Sequence, residues 1–324
     1  MIVLITGVAG FVGSNLAKKL LEENCTVIGI DNLSYGYLSN LKAIEKNPKF
    51  TFILGDIANP LILKDHKADV IVHLASQKIP RYTNALRTLD ENYLMLRNVV
   101  HKCILDKSKI VFASTSDVYG KNPNVPFSEE SDLVLGPTTV KRWAYASSKL
   151  YGEQYIIANN DEYGLDYTIM RFFGSYGPNQ NTTWWGGPQA VFIQNFLEKK
   201  PIEIHGDGTQ TRTFTYIEDT IQGIVKCVLD KRSNNSIYNI ATNPTEEITI
   251  VELAKLIWKL MGNEESSVPL SFIPYSTFGK YEDVLRRVPD ITKIKTELDF
   301  NPKYSLAEGL AKTIKWQQEL FNQK

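Results

Sequence analysis

Tyr145 and Lys149 stand four residues apart in Trp143-Ala144-Tyr145-Ala146-Ser147-Ser148-Lys149, a spacing that places both side chains on one face of a helix. An ammonium beside a phenol lowers the phenol pKa toward neutrality, so Tyr145 can take a hydroxyl proton while hydride leaves the same carbon. The pair by itself recurs by chance. It gains meaning from Ser114-Thr115-Ser116-Asp117-Val118-Tyr119-Gly120, where hydroxyls at the end of an apolar run can hold a substrate oxygen next to Tyr145. Thr115 suits a hydrogen bond to the reacting hydroxyl, and Ser116 joins it as a substrate contact. Asp117 adds a carboxylate that simple alcohol oxidation does not require; for Thr115 and Asp117 the bland alternative is turn or capping work.

Hydride needs an acceptor, and the start of the chain offers a place for one. Gly7-Val8-Ala9-Gly10-Phe11-Val12-Gly13 follows an apolar run and opens a helical pattern. There small residues let backbone amides, including those of Phe11 and Val12, approach a pyrophosphate. Asp31 ends the next apolar run eighteen residues beyond Gly13, near the spacing expected of a carboxylate that binds a ribose diol. Its charge repels a 2′-phosphate and no Arg follows it, only Asn32 and Leu33, so NAD is expected rather than NADP. Asp56 is read as an acceptor for the adenine amino group, with a strand-end cap as its alternative. His73-Leu74-Ala75-Ser76 ends the fourth apolar run, where the cofactor would lie; His73 itself reads as structural.

These residues need rigid elements to hold them. Val- and Ile-rich runs at Ile2–Thr6, Thr26–Ile30, Phe50–Leu54, Val70–Leu74, Ile110–Ser114 and Tyr167–Phe172 read as buried parallel strands. Leu16, Ala17, Leu20 and Leu21 at helical spacing complete a βαβ unit. The fold expected is α/β, a doubly wound parallel sheet with a smaller mixed α/β substrate-binding lobe. The dinucleotide domain is placed at 1–170, rejoined by about 213–245, and the second lobe at 171–212 and 246–324. A helix is expected over Gln189–Glu198, a strand over Ser236–Ala241 and a helix over Ile250–Met261.

Composition narrows the partners. Lys plus Arg and Asp plus Glu each total 36, so no net field draws nucleic acid or an anionic membrane. Cys25, Cys103 and Cys227 are scattered, with no metal-ligand spacing to His66, His73, His101 or His205; no metal is expected. Met1 runs into Ile2–Ile5 without a basic signal-peptide start, and no long uncharged apolar run follows. A cytoplasmic protein is expected.

Taken together, the glycine turn, the Thr115 segment and the Tyr145–Lys149 pair resemble the NAD-dependent epimerase/dehydratase family of extended short-chain dehydrogenases/reductases, over essentially the whole chain. The resemblance implies catalytic roles for Thr115, Tyr145 and Lys149, and cofactor roles for Gly7, Gly10, Gly13, Asp31, Asp56 and Ile57. It also implies transient C4 oxidation of a nucleotide sugar, and homodimerisation through helices near Asn84–Leu105 and Trp143–Ile157. Arg171-Phe172-Phe173-Gly174 resembles the family's entry to the sugar pocket, with Gly174 where relatives commonly have Asn. His205–Phe214 resembles the segment whose Arg, here Arg212, binds the diphosphate. Tyr281–Asp290 is similar to a second clamp, with Arg287 on phosphate and Glu282 on ribose hydroxyls; surface ion pairing is the alternative. Trp184-Trp185-Gly186-Gly187-Pro188-Gln189 either walls the sugar pocket or packs in the core.

Once C4 is a ketone the C5 proton is acidic, and Asp117 is the expected helper in expelling water toward C6. The stretch His73–Lys78 with Pro80-Arg81 weakly resembles UDP-N-acetylglucosamine 5,6-dehydratases, in which Lys78 would meet substrate; an exposed loop lysine is the alternative. The reading is therefore a dehydratase of a UDP-sugar such as UDP-N-acetylglucosamine, then a 4-epimerase, then a UDP-glucuronate decarboxylase. A non-catalytic NAD-binding scaffold belongs to a different class, and intact Thr115, Tyr145 and Lys149 weigh against it.

Overall fold

The computed structural model describes residues 1–78, 84–278, 280 and 282–323. Pro80, Arg81 and Tyr281, used in the reading above, lie outside the described residues. The apolar runs form β1 (Ile2–Thr6), β2 (Thr26–Asp31), β3 (Phe50–Leu54), β4 (Val70–His73), β5 (Lys109–Thr115) and β6 (Tyr167–Phe172), linked through α1 (Phe11–Glu22), α2 (Ala85–Asp106) and α3 (Trp143–Tyr163). The rest of the chain supplies β7 (Ser175–Tyr176), α4 (Pro188–Leu197), β8 (Ile202–His205), β9 (Thr211–Arg212), β10 (Thr215–Tyr216) and α5 (Ile217–Leu229). It finishes with β11 (Ser236–Ile240), β12 (Ile248–Thr249), α6 (Ile250–Leu260), β13 (Leu270–Ile273), β14 (Arg286–Arg287), α7 (Thr292–Leu298) and α8 (Leu306–Asn322).

Seven strands make one sheet in the order β3-β2-β1-β4-β5-β6-β11, all parallel. Parallel strands need helical crossovers on the sheet faces, which is why these runs are apolar on both sides; Val3, Leu4 and Ile5 are fully buried. On α1, Leu16, Ala17 and Leu20 are fully buried while Lys18, Glu22 and Glu23 face solvent. The chain leaves β1 in one direction to β3 and resumes on the other side at β4. That reversal opens a crevice beyond the carboxyl ends of β1 and β4.

The helix expected from Gln189 starts one residue earlier because Pro188 takes its first position, where a missing N–H costs nothing. β11 returns to the main sheet beside β6. Outside that sheet, β8 pairs with β13, and β9 lies between β12 and β14. The parallel pairing of β9 with β14 sets Arg212 opposite Arg287. Cys25, Cys103 and Cys227 are buried and unpaired. Among the described residues no helix is long and apolar enough to cross a membrane, and no group of three or more His, Cys, Asp or Glu gathers to hold a metal.

Candidate functional site

A cleft of about 1040 Å³ lies at the carboxyl ends of the central strands, and its walls include Gly7, Asp31, Thr115, Tyr145, Lys149 and Arg287. A smaller cavity of about 280 Å³ adjoins it and shares Arg142, Trp184 and Arg287 as walls.

At the dinucleotide end, Gly7 has φ +76°, and a Cβ there would meet the Ala75 backbone nitrogen at 2.9 Å. A Cβ on Gly13 would fall 2.2 Å from the Gly7 carbonyl oxygen, so neither position accepts a side chain. Gly10 precedes α1 without a side-chain cap, and the first-turn amides of Phe11, Val12 and Gly13 line the cleft, where orphan N–H groups and the helix dipole suit an anion. Asp31 is buried and accepts from Ala9 N at 2.9 Å and Leu33 N at 2.8 Å, so it also ties the glycine turn to β2. Burial raises its carboxyl pKa and those backbone donors oppose the rise. Asn32 donates to Asp56 at 3.0 Å, and Asn32, Asp56, Ile57, Leu74, Ala75 and Ser76 all border the cleft. This cradle of bare backbone, helix amides and a ribose-range carboxylate fits NAD.

At the other end, the structure brings Thr115, Tyr145 and Lys149 together. Thr115 and Ser76 line the same stretch of cleft as Tyr145, and their hydroxyls favour the ionised phenol. Lys149 Nζ donates to the Ala113 carbonyl at 2.7 Å and lies 5.9 Å from the Tyr145 ring centre. The expected lowering of the phenol pKa does not hold for the protein groups alone. Burial, then the Asp117 charge, push Tyr145 up, and the Thr115, Arg287 and Ser76 contacts only partly offset them. Burial also pushes Lys149 down to about 7, opposed by Glu153. His73 is structural as expected: its Nδ1 shares a 2.8 Å hydrogen bond with the Thr6 hydroxyl, and burial holds it neutral at about 3.

Between cleft and cavity lies an ion-pair cluster. Asp117 Oδ1 is 2.8 Å from Arg287 and 3.2 Å from Arg142; Asp283 Oδ1 is 3.0 Å from both Arg142 and Arg212. Three guanidinium groups thus face two carboxylates. Burial pushes both carboxyls up, but at Asp117 the charges of Arg287, Arg142 and Arg212 outweigh it, and at Asp283 those of Arg212 and Arg142, with the Tyr275 hydroxyl, hold the group at about 2. Glu282 is a correction: it pairs with Lys121 at 3.1 Å and borders neither cavity, because its neighbour Asp283 turns toward the arginines instead. Arg142 went unnoticed in the sequence although it sits three residues before Tyr145, on the same helical face.

Ser116 and Lys78 both line the cleft, Ser116 buried and Lys78 exposed. Gly174 has φ +43°, and a Cβ there would meet the Thr213 carbonyl at 2.9 Å, which accounts for the missing side chain. Trp184 and Trp185 wall the cleft, Trp184 stacked on His205 at 4.8 Å and Trp185 against Tyr35 at 4.2 Å between ring centres.

Comparison with known proteins gives three similar reactions. The chain is 33% identical to a UDP-N-acetyl-alpha-D-glucosaminuronate decarboxylase of Bacillus cytotoxicus over 98% of each protein. It superposes on UDP-glucuronic acid 4-epimerase from Bacillus cereus, solved with UDP-glucuronic acid and NAD, with TM-score 0.87, 29% identity, and coverage of 99% of this chain and 100% of that one. A dTDP-glucose 4,6-dehydratase from Streptomyces venezuelae, solved with NAD, matches with TM-score 0.89 and 27% identity over 100% of this chain and 98% of that one. The NAD dependent epimerase/dehydratase family matches residues 3–241. With its glycine cradle, its Tyr145–Lys149 face and these relatives, the chain belongs to the NAD dependent epimerase/dehydratase family and is an NAD-dependent enzyme of nucleotide-sugar modification.

Proposed function

We propose that this enzyme decarboxylates a UDP-hexuronate. The observation that carries the reading is the state of Asp117, held as a carboxylate between Arg142 and Arg287. Dehydration across C5 and C6 asks for a proton to be handed to the leaving hydroxyl, and an Asp117 kept ionised has none to give at neutral pH. Loss of carbon dioxide needs no acid at a leaving hydroxyl, only a solvent proton for the carbon left behind. A ketone at C4 makes the C6 carboxylate a β-keto acid, whose carbon dioxide leaves as its bonding pair moves into the C4 carbonyl as an enolate; C5 then takes a proton from water and the C4 ketone re-forms before hydride returns. The excess of guanidinium over carboxylate also suits a substrate that carries a carboxylate as well as a diphosphate. The decarboxylase relative supports the same reading.

Tyr145 takes the C4 hydroxyl proton, with Thr115 and Ser76 aligning the two oxygens. Lys149, anchored on the Ala113 carbonyl, holds its ammonium beside the face of the base. Bound NAD supplies the hydride acceptor for C4 and afterwards the same hydride. Arg212 and Arg287 hold the diphosphate, Arg142 lies where the sugar carboxylate enters, and Asp117 and Asp283 stand as counter-ions. Two chains pair through α2 and α3, whose outer faces carry exposed Tyr93 and Tyr151 with ring centres 5.5 Å apart.

Product analysis by mass spectrometry and proton NMR tests the assignment on UDP-glucuronate, UDP-N-acetylglucosaminuronate and UDP-N-acetylglucosamine. Loss of carbon dioxide from a uronate is expected. Loss of water from UDP-N-acetylglucosamine would restore the dehydratase, and unchanged mass with inverted C4 coupling would make the enzyme a 4-epimerase.

A further inference from the structure

Beneath the Tyr145–Lys149 face lies a buried polar network that the reaction above does not use. Glu153, one turn beyond Lys149 on α3, is 3% exposed and Arg171 on β6 is 4% exposed; neither borders the cleft. The guanidinium grips the carboxylate through Nε at 3.0 Å and Nη2 at 2.7 Å, and the Ser114 hydroxyl donates to the same carboxylate. Arg171 Nη1 donates to the Tyr119 hydroxyl at 3.0 Å. Tyr119 in turn donates to Asn239 on β11 at 2.8 Å, and Asn239 donates to the Asp290 carbonyl at 2.9 Å. The network therefore runs from α3 through β5, β6 and β11 to the segment that follows Arg287.

A buried ion pair is a poor source of stability compared with apolar packing, so its position calls for another reason. Ser114 stands between Ala113, whose carbonyl anchors Lys149, and Thr115, which lines the cleft with Tyr145. We propose that Glu153 and Arg171 are a positioning pair for C4 oxidation: through Ser114 they lock β5 in register with α3, and Glu153 supplies the counter-charge on the buried side of Lys149. The proposal rests on Tyr145 and Lys149 acting as above. Titratable groups around the Lys149 ammonium are Glu153 and Tyr145 on its own helix and His73 on β4, which stays neutral. Arg171 balances Glu153 from β6.

The test is the pH profile of kcat/KM for Glu153→Gln, Arg171→Met and Ser114→Ala, with thermal unfolding and NAD affinity measured alongside. Each profile is read on whichever of UDP-glucuronate, UDP-N-acetylglucosamine or UDP-glucose the wild type converts. The wild-type product thus judges the reaction class, and the variants judge the pair. Losing the carboxylate destabilises the ammonium, so the falling limb moves to lower pH by about one unit in Glu153→Gln; losing the balancing cation moves it the other way in Arg171→Met. Ser114→Ala, which changes no charge, lowers kcat about tenfold or more with KM, the limb and the melting temperature near wild type. Limbs that superimpose on the wild type, with only the melting temperature reduced, would overturn the counter-charge; an unaltered kcat in Ser114→Ala would overturn the register.

Discussion

At Tyr145 the hydroxyl stands in a setting that burial and Asp117 make hostile to a phenolate, only partly relieved by Thr115, Arg287 and Ser76. Tyr145→Phe is expected to cut kcat by about 10²–10⁴-fold while NAD affinity, measured by titration of protein fluorescence, stays within a few-fold. The neighbouring carboxylates make a pH prediction. Asp283 is held at about 2, below its unfolded value, so the stability it lends is complete above a pH of about 4 and is lost as the pH falls from about 4 toward 2. The destabilisation caused by Asp283→Asn, followed by urea unfolding, should therefore be largest near pH 6 and shrink steadily below pH of about 4. A constant difference across that range would remove the charge of Asp283 from the account.

The glycine turn between β1 and α1 works as an element because it has no room. Gly13→Ala places a methyl 2.2 Å from the Gly7 carbonyl, which must push the helix off the turn. The expected cost is about 1–3 kcal/mol of stability, together with loss of NAD binding seen by calorimetry. Retention of wild-type affinity would mean that the first-turn amides do not hold the pyrophosphate. The sequence disclosed this element almost whole, because strand, turn, helix and acidic strand end are local patterns. The arginine cluster was less legible. Arg212 and Arg287 meet through strand pairing between β9 and β14, and the adjacent loop acids Glu282 and Asp283 carry no periodicity in the sequence to say which one faces the arginines.

For the whole molecule, the sheet reversal beside β1 opens the cleft beside the glycine turn, and the later segments bring the arginines to the same cleft. The exposed Tyr93 and Tyr151 on α2 and α3 give the proposed dimer a test. Tyr93→Glu with Tyr151→Glu should convert a dimer to monomers in analytical ultracentrifugation with the fold intact by circular dichroism. Burying two like charges per chain in an apolar contact costs several kcal/mol, about enough to shift association a thousandfold. A wild-type chain that sediments as a monomer would sink the pairing.

The sequence alone determined the parallel strands, the glycine turn that opens α1, the acid Asp31 at the end of β2 and the shared helical face of Tyr145 and Lys149, because each is written in short-range spacing and in the apolar character of buried strands. Only the tertiary structure decided the state of those groups. Burial raised the phenol rather than letting Lys149 lower it, and Arg142 and Arg287 closed on Asp117 from segments far apart in the chain. Charge state depends on desolvation and on neighbours in space, and a linear sequence records neither until the chain has folded.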